Sequence, residues 1–268
     1  MNFDLLCQRL LPQEVQEEVY RIDQTYNHPA MEPYWRRLLA PKQWKVGLEK
    51  LTQAFGEDPK GFQMLTCQLY CSLNTYRQYR QKRIPEKIFW DTMGFIPRML
   101  EWQKKYYGEY AYTWGWWLPR QLSLYEFRIG ELEFERIKTP EGPVISLHIP
   151  SDAKLEPKLL RNSVRQMERL FLLHYTDFYL APVMCESWML SPALQELLPE
   201  QSRLRQFQSC FEIQSVDWDS DAVLDWVFPG PKAPYEQLAE TTSLQRAMKQ
   251  YLLEGKKIGW AKGTLKGF

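Results

Sequence analysis

The spacing of apolar residues changes after Tyr112, and this change limits the fold more than any other feature of the chain. Before it, apolar residues recur at helical intervals, as Val15 and Val19 do. Prolines such as Pro85 divide that stretch into separate segments, because proline favours the first turn of a helix. The pattern predicts an all-helical domain over residues 1–113, with roughly five or six helices.

The rest of the chain, residues 114–268, shows the signals of strands mixed with helices. Residues 124–127 and 131–137 alternate with a period of two, which is typical of strands, and residues 144–149 form a short apolar run after a turn. The strands at 131–137 and 144–149 are expected to pair as a hairpin. Helices are expected from Pro157, at 192–198 and at 243–254, and later strands are expected at 183–190, 207–216 and 258–261. The predicted class is α+β, with a mixed sheet in the order β-β-β-α-β-α-β-α-β.

Composition excludes several classes of function. The net charge of +1 is too small for a phosphate-binding surface on nucleic acid, so no nucleic-acid partner is expected. Five cysteines form no framework spacing, which favours free thiols in a reducing compartment and no metal site. No apolar run has the length of a signal or a membrane span, so the chain is expected to be cytoplasmic with no membrane partner. The sequence leaves the oligomeric state open.

Several short segments stand out along the chain: GFIPR at 94–98, FRIGELEF at 127–134, LHIP at 147–150, CESWML at 185–190, LLP at 197–199 and VF at 227–228. Together, in this order, they resemble a family of bacterial acyltransferases, in which a helical N-acyltransferase N-terminal domain precedes a GNAT-like C-terminal domain. The resemblance implies a mixed sheet with splayed central strands. It also implies an acyl-CoA donor, or CoA as co-substrate, and transfer of the acyl group to a small-molecule amine acceptor.

Transfer to an amine needs a base, and His148 is the first candidate, because imidazole exchanges a proton near neutral pH. A histidine that only shapes the core of the sheet fits the same position. Glu131 or Glu133 would serve instead if either points into the cleft, whereas an exposed sheet face with alternating charges also explains them.

The donor site is expected beside Leu147 and Ile149, at the strand through His148. GNAT enzymes usually bind the CoA diphosphate with a glycine-rich loop before a helix, but residues 151–156 contain no glycine. Positive charge would then come from a basic stripe that equally suits a solvated helix face; its residues are Lys154, Lys158, Arg161 and Arg165.

Cys185 and Ser187 fall on one face of a predicted strand. Either side chain would act as an acid for the leaving thiolate, or as a nucleophile paired with His148 in a Cys-His acyl hydrolase or transferase. A buried, inert thiol is the alternative. Trp188 would line an acyl tunnel or fill the core.

Aromatic residues gather where the two halves of the sequence join. Trp114 and Trp117, together with Arg128, are candidates for a substrate pocket, since ligand pockets are common at domain junctions. The second hypothesis for the function is therefore a non-catalytic GNAT-like module that binds a ligand or partner through this region.

Overall fold

The computed structural model describes all 268 residues. Contacts within the chain group its residues into two compact units, residues 1–128 and 129–268. The domain boundary predicted after residue 113 stays a prediction. Beyond residue 107 the chain of the first unit runs through turns and one short helix, Pro119–Leu122.

Helices make up the first unit, as predicted. They are α1 (Phe3–Leu10), α2 (Gln13–Thr25), α3 (His28–Trp35), α4 (Trp44–Phe55), α5 (Phe62–Lys82), α6 (Glu86–Met93), α7 (Phe95–Tyr107) and α8 (Pro119–Leu122). Seven of them precede residue 108, rather than five or six, in part because Gly94 separates α6 from α7. The long helix α5 forms the centre of this unit, with Leu65, Leu69 and Tyr79 fully buried.

A six-stranded mixed sheet forms the centre of the second unit, and its first strand begins at the end of the first unit. The strands are β1 (Glu126–Ile129), β2 (Leu132–Thr139), β3 (Gly142–His148), β4 (Val183–Ser187), β5 (Phe211–Asp217) and β6 (Trp260–Leu265), in the spatial order β1-β2-β3-β4-β6-β5. β2 and β3 form the predicted hairpin, with Glu133 opposite His148 and Thr139 opposite Gly142. The predicted fold class is confirmed.

The strands β3 and β4 are parallel neighbours that stay paired over a short distance. Ile145 is opposite Val183 and Ser146 is opposite Met184, and the ladder extends no further. β3 continues to His148 beyond the last of these pairs. The two central strands therefore separate at the end of β3 that carries His148, as a splayed sheet requires.

Helices surround the sheet. The longest, α9 (Pro157–His174), buries Leu160, Met167 and Phe171 on one face. Shorter helices follow: α10 (Leu194–Leu197), α11 (Arg203–Ser209), α12 (Ala222–Val227) and α13 (Ser243–Leu253). No helix in the structure combines the length and apolarity needed to cross a bilayer.

Several predicted strands in this unit have different limits from those expected, and the last, expected at 258–261, runs from Trp260 to Leu265. The strand predicted from Val183 to Leu190 ends at Ser187, whose side chain caps a 3-10 turn over Trp188–Leu190. The strand predicted from Phe207 begins only at Phe211, because Phe207 belongs to α11 and buries its ring from that helix. Short apolar runs of this kind do not distinguish a helix from a strand.

Candidate functional site

The register of the hairpin brings acidic side chains and His148 to one face of the sheet. Glu133 lies opposite His148 and Glu135 lies opposite Ser146. Residues that are directly opposite each other in a ladder point to the same face, so Glu133, Glu135 and His148 share a face. We call these three residues the acidic face.

Within the acidic face, His148 and Glu135 form a direct pair. Nε2 of His148 lies 3.1 Å from Oε2 of Glu135, and the two side chains are 25% and 11% exposed. A carboxylate can only accept hydrogen bonds, so an ionised Glu135 fixes a proton on Nε2 and orients the imidazole ring. The pair is an oriented base that retains partial access to solvent.

Burial of the glutamates departs from what alternating charges suggest. Glu133 is 4% exposed and Glu135 is 9% exposed, so neither lies on a solvated sheet surface. Buried carboxylates are costly unless they are hydrogen-bonded or paired. Their presence beside a histidine is therefore a feature of a functional site rather than of ordinary surface charge.

Glu131 has a different position from the other two glutamates. Its Oε2 accepts the backbone N–H of Lys154 at 2.7 Å, and its own N–H donates to Oγ of Ser163 at 2.9 Å. Glu131 therefore ties the loop at 151–156 to α9. The carboxylate proposed from sequence as an alternative base is engaged with this loop instead of with the imidazole.

The glycine before it, Gly130, makes this connection possible. Its φ of +64° is in the left-handed region, and a Cβ at this position would lie 2.4 Å from Oγ of Ser163. Any larger residue would collide with the side chain of Ser163 within α9. The FRIG segment thus has a structural reason for its glycine.

The start of α9 is the place where the sequence predicts the donor phosphates. Pro157 occupies the first turn, and the N-cap residue Glu156 makes no side-chain capping bond to the helix. Glu156 instead pairs with Arg203, with Oε1 3.4 Å from Nη1. The exposed cations Lys154 and Lys158 lie near the positive end of the helix dipole. Of the two acids in the loop, Asp152 and Glu156, the second is neutralised by its ion pair.

Cys185 and Ser187 lie on the opposite face of the sheet from His148. Ile145 pairs with Val183 in the parallel ladder, so Cys185 and Ser187 share the face of Ile145 and Leu147. Cys185 is 1% exposed, and burial raises the pKa of its thiol to about 12. A thiol on the far face that resists ionisation does not form a nucleophilic pair with His148.

The neighbours of Cys185 have structural contacts. Oγ of Ser187 accepts the N–H of Met189 at 3.1 Å, which caps the following turn. Trp188 packs against the small core under α10, α12 and α13. Leu147 is buried on the Cys185 face, whereas Ile149 follows the end of β3.

The aromatic candidates from the junction belong to the first unit. Nε1 of Trp117 and Nε2 of Gln121 both donate to Oε1 of Glu126, at 3.2 and 2.8 Å. The ring of Trp114 stacks on Trp116. The backbone N–H of Arg128 donates to Oγ1 of Thr92 at 3.0 Å. The role of Trp114, Trp117 and Arg128 in a substrate pocket stays a prediction.

Sequence reasoning missed Glu135 as the partner of His148. The signal was present in the predicted hairpin, because a turn at 139–142 places residue 135 opposite residue 146, two positions from His148 on the same face. The buried carboxylate of Glu126 was also missed, and no local pattern distinguishes it from a surface glutamate.

Comparison with known families gives two matches that together cover nearly the whole chain. Residues 1–124 match the N-acyltransferase N-terminal domain, and residues 126–265 match the GNAT-like C-terminal domain. No curated protein matches the chain.

Solved structures with the same fold include acyltransferases crystallised with ligands. One, in complex with decanoyl-CoA, is 22% identical, with a TM-score of 0.79 over 99% of this chain and 87% of that chain. Another, in complex with CoA and 10C-teicoplanin, is 21% identical, with a TM-score of 0.81 over the same shares. At this level of identity the similarity establishes the fold.

Proposed function

Because the chain belongs to the two-domain N-acyltransferase family with a GNAT-like C-terminal domain, we propose that it transfers an acyl group from an acyl-CoA thioester to an amine. The observation that carries the proposal is the His148–Glu135 pair at the end of β3, where β3 leaves β4. GNAT-like sheets separate at this point to admit the thioester, so an oriented base there is in position to act on the acceptor.

His148 acts as the general base. With Nε2 held by Glu135, Nδ1 takes the proton as the amine nitrogen attacks the thioester carbonyl carbon. The new C–N bond forms, the C–S bond breaks, and CoA leaves as the thiolate or thiol. Glu135 stabilises the imidazolium that this step creates, as the carboxylate of a hydrolase triad does.

The acidic face also selects the acceptor. Primary amines arrive mostly as ammonium ions at neutral pH, and two buried carboxylates beside His148 attract a cation. One similar structure contains decanoyl-CoA with teicoplanin, a glycopeptide, and another contains CoA with 10C-teicoplanin. Amine-bearing glycopeptides are therefore the first acceptors to test for this chain.

The donor binds along β3 and at the start of α9. Beyond Ser146 the β3 backbone is outside the ladder with β4, so Leu147 and Ile149 present main-chain groups to the pantetheine arm. Lys154, Lys158 and Arg161 lie within the loop and the first turns of α9, and they supply charge to the diphosphate in place of glycine amides. Arg165 follows Lys158 by about 10 Å along the helix, at the limit of that site.

Release of free CoA thiol, measured with a chromogenic disulfide, tests the proposal. The donor series runs from acetyl-CoA to dodecanoyl-CoA, each with an amine acceptor panel, and calorimetry measures donor binding separately. Amine-dependent thiol release that disappears in His148→Gln supports it. The absence of both release and binding at millimolar donor overturns it.

A non-catalytic binding module is the second candidate, favoured by the glycine-free loop at 151–156. Donor binding without thiol release from any amine identifies this case. If the protein is such a module, His148→Gln leaves the donor affinity unchanged, and neither the variant nor the wild type transfers an acyl group.

A further inference from the structure

α9 has an exposed face that acyl transfer does not use in full. Its cations Lys158, Arg161, Arg165 and Arg169 form what we call the basic stripe, and its last turn adds the exposed leucines Leu172 and Leu173. At 100° per residue, these six positions fall within an arc of about 120°. The arc lies opposite the helix face that is buried on the sheet.

The charge of this face is one-sided. Glu168 is the only acid in α9, and Arg161, Arg165 and Arg169 follow one another at intervals of four residues. Like charges at this spacing repel each other along a helix. The ion pairs of this region join Glu156 to Arg203 and Lys138 to Asp177, and the basic stripe faces solvent. An anionic partner would therefore relieve the repulsion between the cations of this row.

Apolar side chains extend the same end of the helix. Leu172 is 48% exposed and Leu173 is 64% exposed, and the turn after α9 presents Tyr179 and Leu180, which are 37% and 78% exposed. We call these four residues the leucine end. An exposed group of this size within nine residues of chain differs from the scattered apolar residues of an ordinary surface.

Leu180 provides an independent observation. Its φ is +66°, and it is the third residue of a turn closed by the N–H of Ala181, which donates to the carbonyl of Phe178 at 3.1 Å. Glycine or asparagine adopts this conformation more easily than leucine. The chain therefore holds its most exposed leucine in an unfavourable conformation, with no burial inside the protein to compensate.

We propose that the basic stripe and the leucine end together dock on the surface of an anionic lipid bilayer. The cations would contact lipid phosphates, and the leucines and the tyrosine would enter the boundary between headgroups and acyl chains. A second copy of this chain is a poor occupant, because a two-fold interface would bring the two basic stripes together. The proposal replaces the expectation from sequence that the chain has no membrane partner.

Sedimentation with vesicles tests this proposal on the whole chain. We expect binding to vesicles of equal phosphatidylcholine and phosphatidylglycerol to exceed binding to phosphatidylcholine alone by at least about tenfold, and to weaken with salt. Arg165→Gln with Arg169→Gln should reduce that binding by about 30-fold. Leu180→Asn should also reduce it, while the variant unfolds at the same denaturant concentration or a higher one.

The matched control removes two charges elsewhere in the same unit. Lys256→Gln with Lys257→Gln has the same net charge as the stripe variant, but these lysines pair with Glu254 and Asp219. Equal loss of binding in both double variants would overturn the proposal, since bulk charge would then be responsible. Equal binding to the two kinds of vesicle, or full binding by Leu180→Asn, would overturn it as well. A wild-type dimer that Leu172→Gln with Leu173→Gln dissociates would replace the bilayer with a second copy.

Acyl transfer provides an independent readout. Leu180→Asn should leave thiol release with a soluble amine unchanged, because Leu180 has no part in the proposed donor or base site. Loss of vesicle binding with intact transfer then separates the docking surface from the chemistry.

Discussion

The two faces of the central sheet have opposite chemistry, although they are built from adjacent residues of the same strands. One face carries Glu133, Glu135 and His148, and the other carries Phe134, Leu147 and Cys185. The first holds an imidazole against a carboxylate, and the second is an apolar surface on which burial raises the pKa of a thiol. Two reactive side chains in neighbouring strands thus cooperate only when the register places them on the same face.

The separation of the two faces limits which reactions the fold supports. A Cys-His nucleophile would need His148 and Cys185 on one face, and the parallel ladder places them on different faces. A base that receives a proton from an incoming amine needs His148 and its carboxylate partner alone. The sheet therefore favours direct transfer over a covalent acyl-enzyme.

The largest effect is expected from removing the imidazole. His148→Ala should lower kcat/KM for acyl transfer by about 100- to 10,000-fold, the usual contribution of a general base. Thiol release at saturating donor measures it. His148→Gln retains a donor to Glu135 and controls for loss of folding, and His174→Ala, in the last turn of α9, is the matched histidine control. A rate for His148→Ala within threefold of wild type would place the chemistry elsewhere.

Glu135→Gln should have the next largest effect. The amide keeps the shape of the side chain but cannot compensate the imidazolium charge, so we expect kcat to fall by about 10- to 100-fold. The KM for acyl-CoA should stay within about twofold, because Glu135 acts on His148 rather than on the donor. A rise in donor KM with unchanged kcat would contradict this role and assign the carboxylate to binding.

Loss of the cations at the start of α9 should weaken binding of the acyl-CoA donor and leave kcat unchanged. Lys154→Ala with Lys158→Ala removes two exposed cations, each worth about 0.3 to 1 kcal/mol to a nearby anion, so donor KM should rise by about 3- to 30-fold with kcat unchanged. Calorimetry with CoA checks the affinity directly. The control is Lys256→Ala, which removes a lysine that pairs with Glu254 and should leave the affinity for CoA unchanged. If the affinity is also unchanged in the Lys154 and Lys158 variant, the phosphate site lies away from α9.

Much of this organisation could be predicted from sequence, because it rests on local patterns. Period-two alternation located β2, a turn at residue 142 gave the hairpin, and the helical spacing after Pro157 gave α9. The His148 strand was found for the same reason. The six strands follow one another as predicted, whereas the helices α11 and α12 were not predicted.

What escaped prediction depends on contacts between distant segments. Parallel pairing of β3 with β4 decides that Cys185 faces away from His148, and no pattern within residues 183–190 contains that register. Burial of Glu133 likewise depends on what covers the sheet and not on the alternation of β2. Phe207 entered a helix because tertiary packing overrode an ambiguous apolar run.

The smallest effect on activity is expected on the apolar face. Cys185→Ala should leave acyl transfer within about twofold of wild type, while the lost sulfur contact lowers the free energy of unfolding by about 1 to 2 kcal/mol. Iodoacetamide at pH 8 should label the half-buried Cys210 before Cys185, as peptide mass spectrometry can show.

The buried thiol of Cys185 on the apolar face should also make the stability of the protein depend on pH. The Cys185 thiol ionises near 9.0 when exposed, and burial raises its pKa to about 12 in the fold. The stability it contributes is therefore fully present below pH 9 and is lost as the pH rises toward 12. Urea unfolding at pH 8 and pH 10 should show a smaller loss of stability with pH for Cys185→Ala than for wild type. Equal losses, or a rapid reaction of Cys185 with iodoacetamide at pH 8, would mean that the thiol is accessible and would reopen its role as a nucleophile.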